Sequence, residues 1–372
     1  MKVVPIMEEE DINQDNIEDD ETSIDDELGA TEDIVVPVNY SITSYGADFD
    51  VFGLVRRIQQ GDIYIPPFQR EFIWSIKQSS RFIESLLLGL PIPSIFLSRD
   101  DDNKLLVIDG QQRLRTLQYF YEGFFERPDK NFALNGVQDQ YQGKTYNSLT
   151  PEERRKLDDS ILHTFIIRQD EPSDNNTSVY YIFERLNTTG TPLTHQEIRA
   201  SIYRGKFNDL LEKLNENSSW RSIYGRVNKR RRDQEFILRF FALYFNGRAY
   251  SPPMKEFLNR YMIKNRHLQL QSEDKLTRIF ASTIETIYKY IGTEAFRPFH
   301  GFNAAVFDAV TVAVARRLEK GSITNVKQFK KAYETLLEDV DFLKTIETGT
   351  TAGAPSVFGR IREATRIFQD VK

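Results

Sequence analysis

The chain has 372 residues, 40% apolar and 12% aromatic, with a formal net charge of −6, a length that buries a large core and suits two packed domains. The absence of cysteine excludes disulfides, thiolate zinc sites and cysteine nucleophiles. The four histidines, His163, His195, His267 and His300, are never three or four residues apart, so a histidine-built metal or nuclease centre is poorly supplied.

No apolar run approaches the roughly 18 residues of a membrane span, and no basic-then-apolar leader is present, so the expected location is cytoplasmic, with no membrane partner. Charge is unevenly spread. Residues 1–33 hold 14 acidic side chains against Lys2 alone, a charge of −13, which leaves +7 on residues 34–372. Such an acidic stretch buries too little apolar surface to order itself, so residues 1–45 are predicted to be a solvated acidic tail. It serves solubility or competes with nucleic acid for the basic remainder.

Val51, Leu54, Val55 and Ile58 share a helical face over residues 48–60, with Asp48 or Asp50 as cap and Gly61 as stop. Ile63 to Ile65 reads as a short strand before Pro66-Pro67. Ser75 caps a helix with the stripe Phe82, Ile83, Leu86 and Leu87, ended by Gly89 and Pro91. Residues 94–98 and 104–108 read as strands joined by a polar turn, and a helix follows from Gln111 to about Tyr121. Thr150-Pro151-Glu152-Glu153 combines a capping box with proline at the first helical position, and residues 162–167 form the next strand. Beyond residue 175 helix signals dominate: 176–186, 195–204, 233–246, 253–264, 273–290, 303–319, 325–338 and 356–368. The reading is α+β, a small mixed domain over residues 46–172 followed by a helical domain over residues 173–372.

The chemistry concentrates where Leu105-Leu106-Val107-Ile108 ends and the helix begins, at Asp109-Gly110-Gln111-Gln112-Arg113. The first turn of a helix presents unpaired N–H groups and the positive end of the dipole, which together cradle an anion such as a phosphate. Gly110 permits close approach, Gln111, Gln112 and Arg113 add donors, and Asp109 binds Mg²⁺ or orients a water beside phosphates. The plainer alternative is that Asp109 caps the helix, Gly110 shapes the turn and the polar groups face solvent.

Three further segments stand out. In Ile65-Pro66-Pro67-Phe68-Gln69-Arg70-Glu71-Phe72-Ile73-Trp74, prolines stiffen the backbone before Arg70, giving a second phosphate clamp or an ordinary Arg70–Glu71 surface pair, with Trp74 as a core anchor. Residues 183–199 run from one helix through Asn187 and Gly190 into a capping box of Thr194 and Glu197, dense in groups that suit a base or ribose. His195 there reads as a surface residue. The run Arg226-Val227-Asn228-Lys229-Arg230-Arg231-Arg232 is the strongest basic stretch, either a nucleic-acid contact through Lys229, Arg230 and Arg231 or a solvated turn.

In this order and spacing, IPPFQREFIW, LLVIDGQQRLRTL and FERLNTTGTPLTHQEIR resemble the N-terminal domain family of GmrSD-type restriction endonucleases, a ParB-like, sulfiredoxin-like fold. The resemblance covers residues 48–245 well and the later helices more loosely. It implies a DGQQR-dependent nucleoside triphosphatase, with Mg²⁺ as cofactor, that controls attack on modified or phage DNA. Carried over, Asp109, Gln112 and Arg113 are the implied catalytic residues, with Asp109 also the metal ligand. Gln69, Arg70, Gly110, Gln111, Asn187 and Gly190 are the implied nucleotide contacts. Arg115 stands where the family more often has threonine. His300 is followed by Gly301-Phe302-Asn303 and not by a histidine-x-x-proline nuclease signature. A DNA-binding regulatory subunit acting with a separate nuclease or methyltransferase is therefore the alternative, and a ParB-like DNA nickase a third.

Overall fold

The computed structural model describes residues 41–65, 72–99, 103–171, 177–186, 193–298, 301–346 and 351–372. The fold is α+β, as expected: a five-stranded sheet near the N-terminus, then a helical region. The described residues form two compact units, one ending at Arg204 and one spanning residues 205–372.

In the first unit the strands are β1 (Ser41–Asp50), β2 (Ile63–Tyr64), β3 (Ile95–Arg99), β4 (Leu105–Asp109) and β7 (Ile161–Glu171), ordered β1-β7-β3-β4-β2. β3 and β4 are antiparallel, whereas β2 runs parallel to β4 and β3 parallel to β7. A short antiparallel pair, β5 (Phe124–Phe125) and β6 (Arg127–Asn131), stands apart. Side chains alternate across a strand, and β4 is buried on both faces: Leu105 and Val107 join the main core, while Leu106 and Ile108 are buried as well.

That core is closed by α1 (Val51–Gln59), α2 (Ile76–Leu88) and α3 (Gln111–Glu122), which supply Leu54, Leu86, Leu87, Leu114, Leu117 and Phe120. Asp50 caps α1, Ser75 and Gln78 form a capping box for α2, and Gly89 ends α2 in a left-handed conformation. α4 (Pro151–Asp158) begins with the expected box of Thr150 and Glu153. α5 (Thr177–Leu186) packs against β4 and β7 and against α6 (His195–Ile202).

The sequence reading missed β1, whose last residues it placed in the first helix. Only Ala47 and Phe49 of this strand turn partly toward the core. Its register, Ser44 to Ile167 and Asp48 to His163, is set by β7 more than a hundred residues later. The predicted tail falls outside the described residues up to residue 40, and residues 41–45 begin β1.

The second unit contains α7 (Lys206–Asn215), α8 (Ser218–Tyr224), α9 (Arg232–Asn246), α10 (Met254–Lys264), α11 (Glu273–Tyr290), α12 (Ala304–Leu318), α13 (Val326–Glu338), α14 (Val340–Ile346) and α15 (Ala354–Phe368). α7, α8 and α14 were not predicted. α12 is buried from Ala304 through Ala315 and packs against α9, α11 and α15, as a helix apolar on all sides must. At its centre the fully buried Asp308 accepts from Arg239 Nε at 2.6 Å, Arg239 Nη2 at 2.8 Å and Arg360 Nη2 at 2.6 Å. Among the described residues no helix is long and apolar enough to cross a membrane.

Candidate functional site

The Asp109–Gly110 junction forms because β4 ends in the sheet and α3 must turn back over it. Gly110 makes that turn with φ of 102°, a left-handed value L side chains rarely adopt, and a Cβ there would lie 3.0 Å from Ile95 Cγ1. As the N-cap of α3 it offers no side chain to the helix's opening amides. A pocket for an anion and a simple tight turn both use this backbone.

The side chains around the turn are interlocked. Arg113 reaches back one helical turn to Asp109 Oδ2 at 2.7 Å, and also donates to the carbonyls of Ser94, at 3.0 Å, and Pro93. Burial lowers the Arg113 pKa from its ordinary value, and the neighbouring Asp109 opposes the shift. The Arg113 side chain is 11% exposed, whereas Asp109 is 41% exposed. Asp109 Oδ1 has no protein partner among the described residues. Gln112 Oε1 accepts from the backbone amides of Ile73, at 3.0 Å, and Trp74, at 3.2 Å. The turn is thereby stitched to the end of the first motif, where Trp74 packs edge-on to Phe82. Gln111 is half-buried at the start of α3.

Residues 51–204 match the family model for the GmrSD restriction endonuclease, N-terminal domain. This stretch is therefore similar to a GmrSD N-terminal domain. The match ends where the first unit ends and takes in the sheet from β2 onward, the Asp109–Gly110 turn, and α5 and α6. No curated protein matches the chain.

Within the matched stretch, Gln69, Arg70, Asn187 and Gly190 lie outside the described residues, but their flanks do not. Ile73 and Trp74, at the end of the first motif, meet Gln112. α5, which precedes Asn187, packs on β4, the strand that carries Asp109. Sequence reasoning left out His195, yet the structure joins it to two other polar groups. Its Nδ1 hydrogen-bonds the buried Tyr180 hydroxyl and lies 3.7 Å from Glu184 Oε1, fastening the start of α6 to α5. Tyr180, Glu184 and His195 are four and eleven residues apart, too irregular a spacing to signal a cluster before α5 and α6 are folded together.

In the helical unit the basic run is divided. Lys229 is exposed and Arg230 half-buried. Arg231 donates to Glu212 Oε1 at 2.6 Å and Gln234 Oε1 at 3.0 Å. The turn itself rests on the buried Asp233, which accepts from Asn215, Arg221 and the amide of Asn228.

Mg²⁺ ordinarily takes one or two protein carboxylates together with phosphate and water oxygens. The half-exposed Asp109, with one oxygen held by Arg113 and the other facing no described protein group, fits such a ligand. No group of three or more His, Cys, Asp or Glu suited to hold a metal occurs among the described residues.

Proposed function

We propose that this chain binds a nucleoside triphosphate with its phosphates at the Asp109–Gly110 turn and hydrolyses it, as the nucleotide-dependent part of a restriction-type system directed at DNA. The observation that carries this reading is a helix start that has no side-chain cap, beside a carboxylate that is half-exposed and oriented by a buried arginine. The opening amides of α3 favour a negative group by hydrogen bonding and by the helix dipole. Mg²⁺, when bound at Asp109, supplies charge neutralisation on the phosphates. Arg113 holds the Asp109 carboxylate in place and fixes α3 to the start of β3. Gln112 keeps Ile73 and Trp74 against the turn, and Gln69, Arg70, Gln111, Asn187 and Gly190 are the residues this reading assigns to nucleotide contact.

Phosphate release measured across the common nucleoside triphosphates with Mg²⁺, in wild type and in Asp109→Asn, tests the reading. Hydrolysis by wild type that is lost in a folded Asp109→Asn variant supports it. A wild-type protein that neither binds nor hydrolyses any nucleotide refutes it. The second reading, a DNA-binding subunit that leaves cutting to a separate nuclease or methyltransferase partner, is favoured by the exposed Lys229 beside Arg230 and Arg231. It predicts DNA binding with no hydrolysis at all.

A further inference from the structure

In the helical unit two clefts of about 770 Å³ and 780 Å³ meet at Tyr244, Phe245 and Arg316. Each is of the size that takes a small ligand such as a single nucleotide. The end of α9, the turn after it, α12 and α15 wall the first cleft, and α9, α11 and α12 wall the second.

The charge lining them is one-sided. Arg248, Arg316, Arg362 and Arg366 line the first cleft, with no carboxylate in its wall. The second adds Lys275, Arg278 and Lys320, against Glu319, which already accepts a hydrogen bond from the Tyr244 hydroxyl. Concave surfaces of one sign focus the field and concentrate the opposite charge.

Arg316 sits where the clefts join. It is half-buried and donates to Thr365 Oγ1 at 3.2 Å, but makes no ion pair among the described residues. Burial lowers its pKa from the ordinary value; Glu319 and Tyr244 oppose that shift, and the nearby Arg248 adds to it. A guanidinium taken partly out of water beside another cation is stabilised when an anion enters. Arg362 and Arg366, by contrast, are held by Glu363, at 2.8 Å each, and Arg366 also by Asp339 at 2.9 Å, with their outer surfaces left open. Phe358 is 41% exposed on the same wall, and Tyr250 packs edge-on to it at 6.2 Å. A supported aromatic ring open to solvent is a platform on which a base can stack.

We propose that the joined clefts bind a single-stranded nucleic-acid segment, with successive phosphates on Arg248, Arg316 and Lys275 and a base stacked on Phe358. Two nucleotide-sized hollows that share Arg316, Tyr244 and Phe245 in their walls suit a strand better than one free nucleotide. The inference takes from the proposed function only that the protein acts on DNA, and does not require hydrolysis at Asp109.

Fluorescence anisotropy of the full chain with a short labelled oligothymidine, and with a matching duplex, tests it. Arg316→Gln and Phe358→Ala are each expected to weaken strand binding by roughly tenfold. Affinity is expected to fall linearly with salt on a log–log plot, and Lys330→Gln with Lys331→Gln, exposed on α13 and outside both clefts, to leave it unchanged. Unaltered binding in both cleft variants, loss only on replacing Lys229 and Arg230, or tighter binding of the duplex overturns the assignment. If Arg316→Gln fails to fold, the exposed Phe358→Ala decides. Phosphate release is followed in the same samples: binding that depends on Arg316 in a protein without hydrolysis upholds this inference and refutes the nucleotide reading, and the reverse result separates them the other way.

Discussion

Arg113 Nη2 lies 2.7 Å from Asp109 Oδ2, so the carboxylate placed to meet a metal or water is oriented by a guanidinium four residues later in the same turn. The arginine is the buried partner and the aspartate the open one, and the two should respond differently to substitution. Asp109→Asn preserves shape and leaves an acceptor for Arg113. Because the pair is partly solvated, thermal stability should change by no more than about 1 kcal/mol, while phosphate release is abolished. Arg113→Ala strips donors from the Ser94 and Pro93 carbonyls and should cost about 1–3 kcal/mol in chemical denaturation.

Gly110→Ala meets two obstacles, the left-handed φ of 102° and the Ile95 side chain 3.0 Å from the new methyl. The conformational part alone amounts to about 1–2 kcal/mol. Denaturant midpoints should show Gly110→Ala clearly destabilised, and Ile95→Val in the same chain should recover none of the loss, because valine keeps both γ carbons that crowd the new methyl.

Asp308 is the shared acceptor of Arg239 and Arg360 in the helical core, and all three side chains are buried. Replacing it by alanine leaves two guanidinium groups without their counter-charge. The expected destabilisation is about 3–5 kcal/mol, read from urea unfolding. Asp339→Asn, which keeps an acceptor for the Phe342 amide and loses only the charge opposite the exposed Arg366, should have little effect by the same measurement.

Glu153 closes the capping box of α4 and accepts from Lys144 Nζ at 2.6 Å. Desolvation alone would raise its carboxyl pKa; the Lys144 ammonium and the Thr150 amide outweigh it and hold the group below its ordinary value. A depressed folded-state pKa means the contribution is complete above the ordinary carboxylate range and disappears as pH falls through the folded value. Glu153→Gln should therefore lower stability at neutral pH and flatten its acid-side decline, as followed by urea midpoints against pH.

Much of the first unit was legible locally. Ser75 with Gln78 and Thr150 with Glu153 announce helix starts through contacts three residues apart, and the apolar Leu105 to Ile108 followed by Asp109-Gly110 announces a strand running into a helix. These depend on neighbouring residues, whose interactions exist whatever the rest of the chain does. β1 was not legible, because its mostly exposed residues become a strand only when β7 pairs with them.

Charge shows the same division in sharper form. In the sequence the basic run at residues 226–232 stands out because its charges are adjacent, yet tertiary contacts tie Arg231 to Glu212 and rest the turn on Asp233. Arg248 and Arg316 are unremarked along the chain, and packing of α9, α12 and α15 brings them to one cleft, beside Arg362 and Arg366, which Glu363 holds. The sequence by itself determined which segments become helix or strand and where the chain turns at Gly110, since those follow from short-range hydrogen bonding and apolar spacing. Only the tertiary structure decided which arginines are neutralised by carboxylates and which are left facing a cleft, because electrostatic pairing depends on distance in space and on how much water remains between the charges.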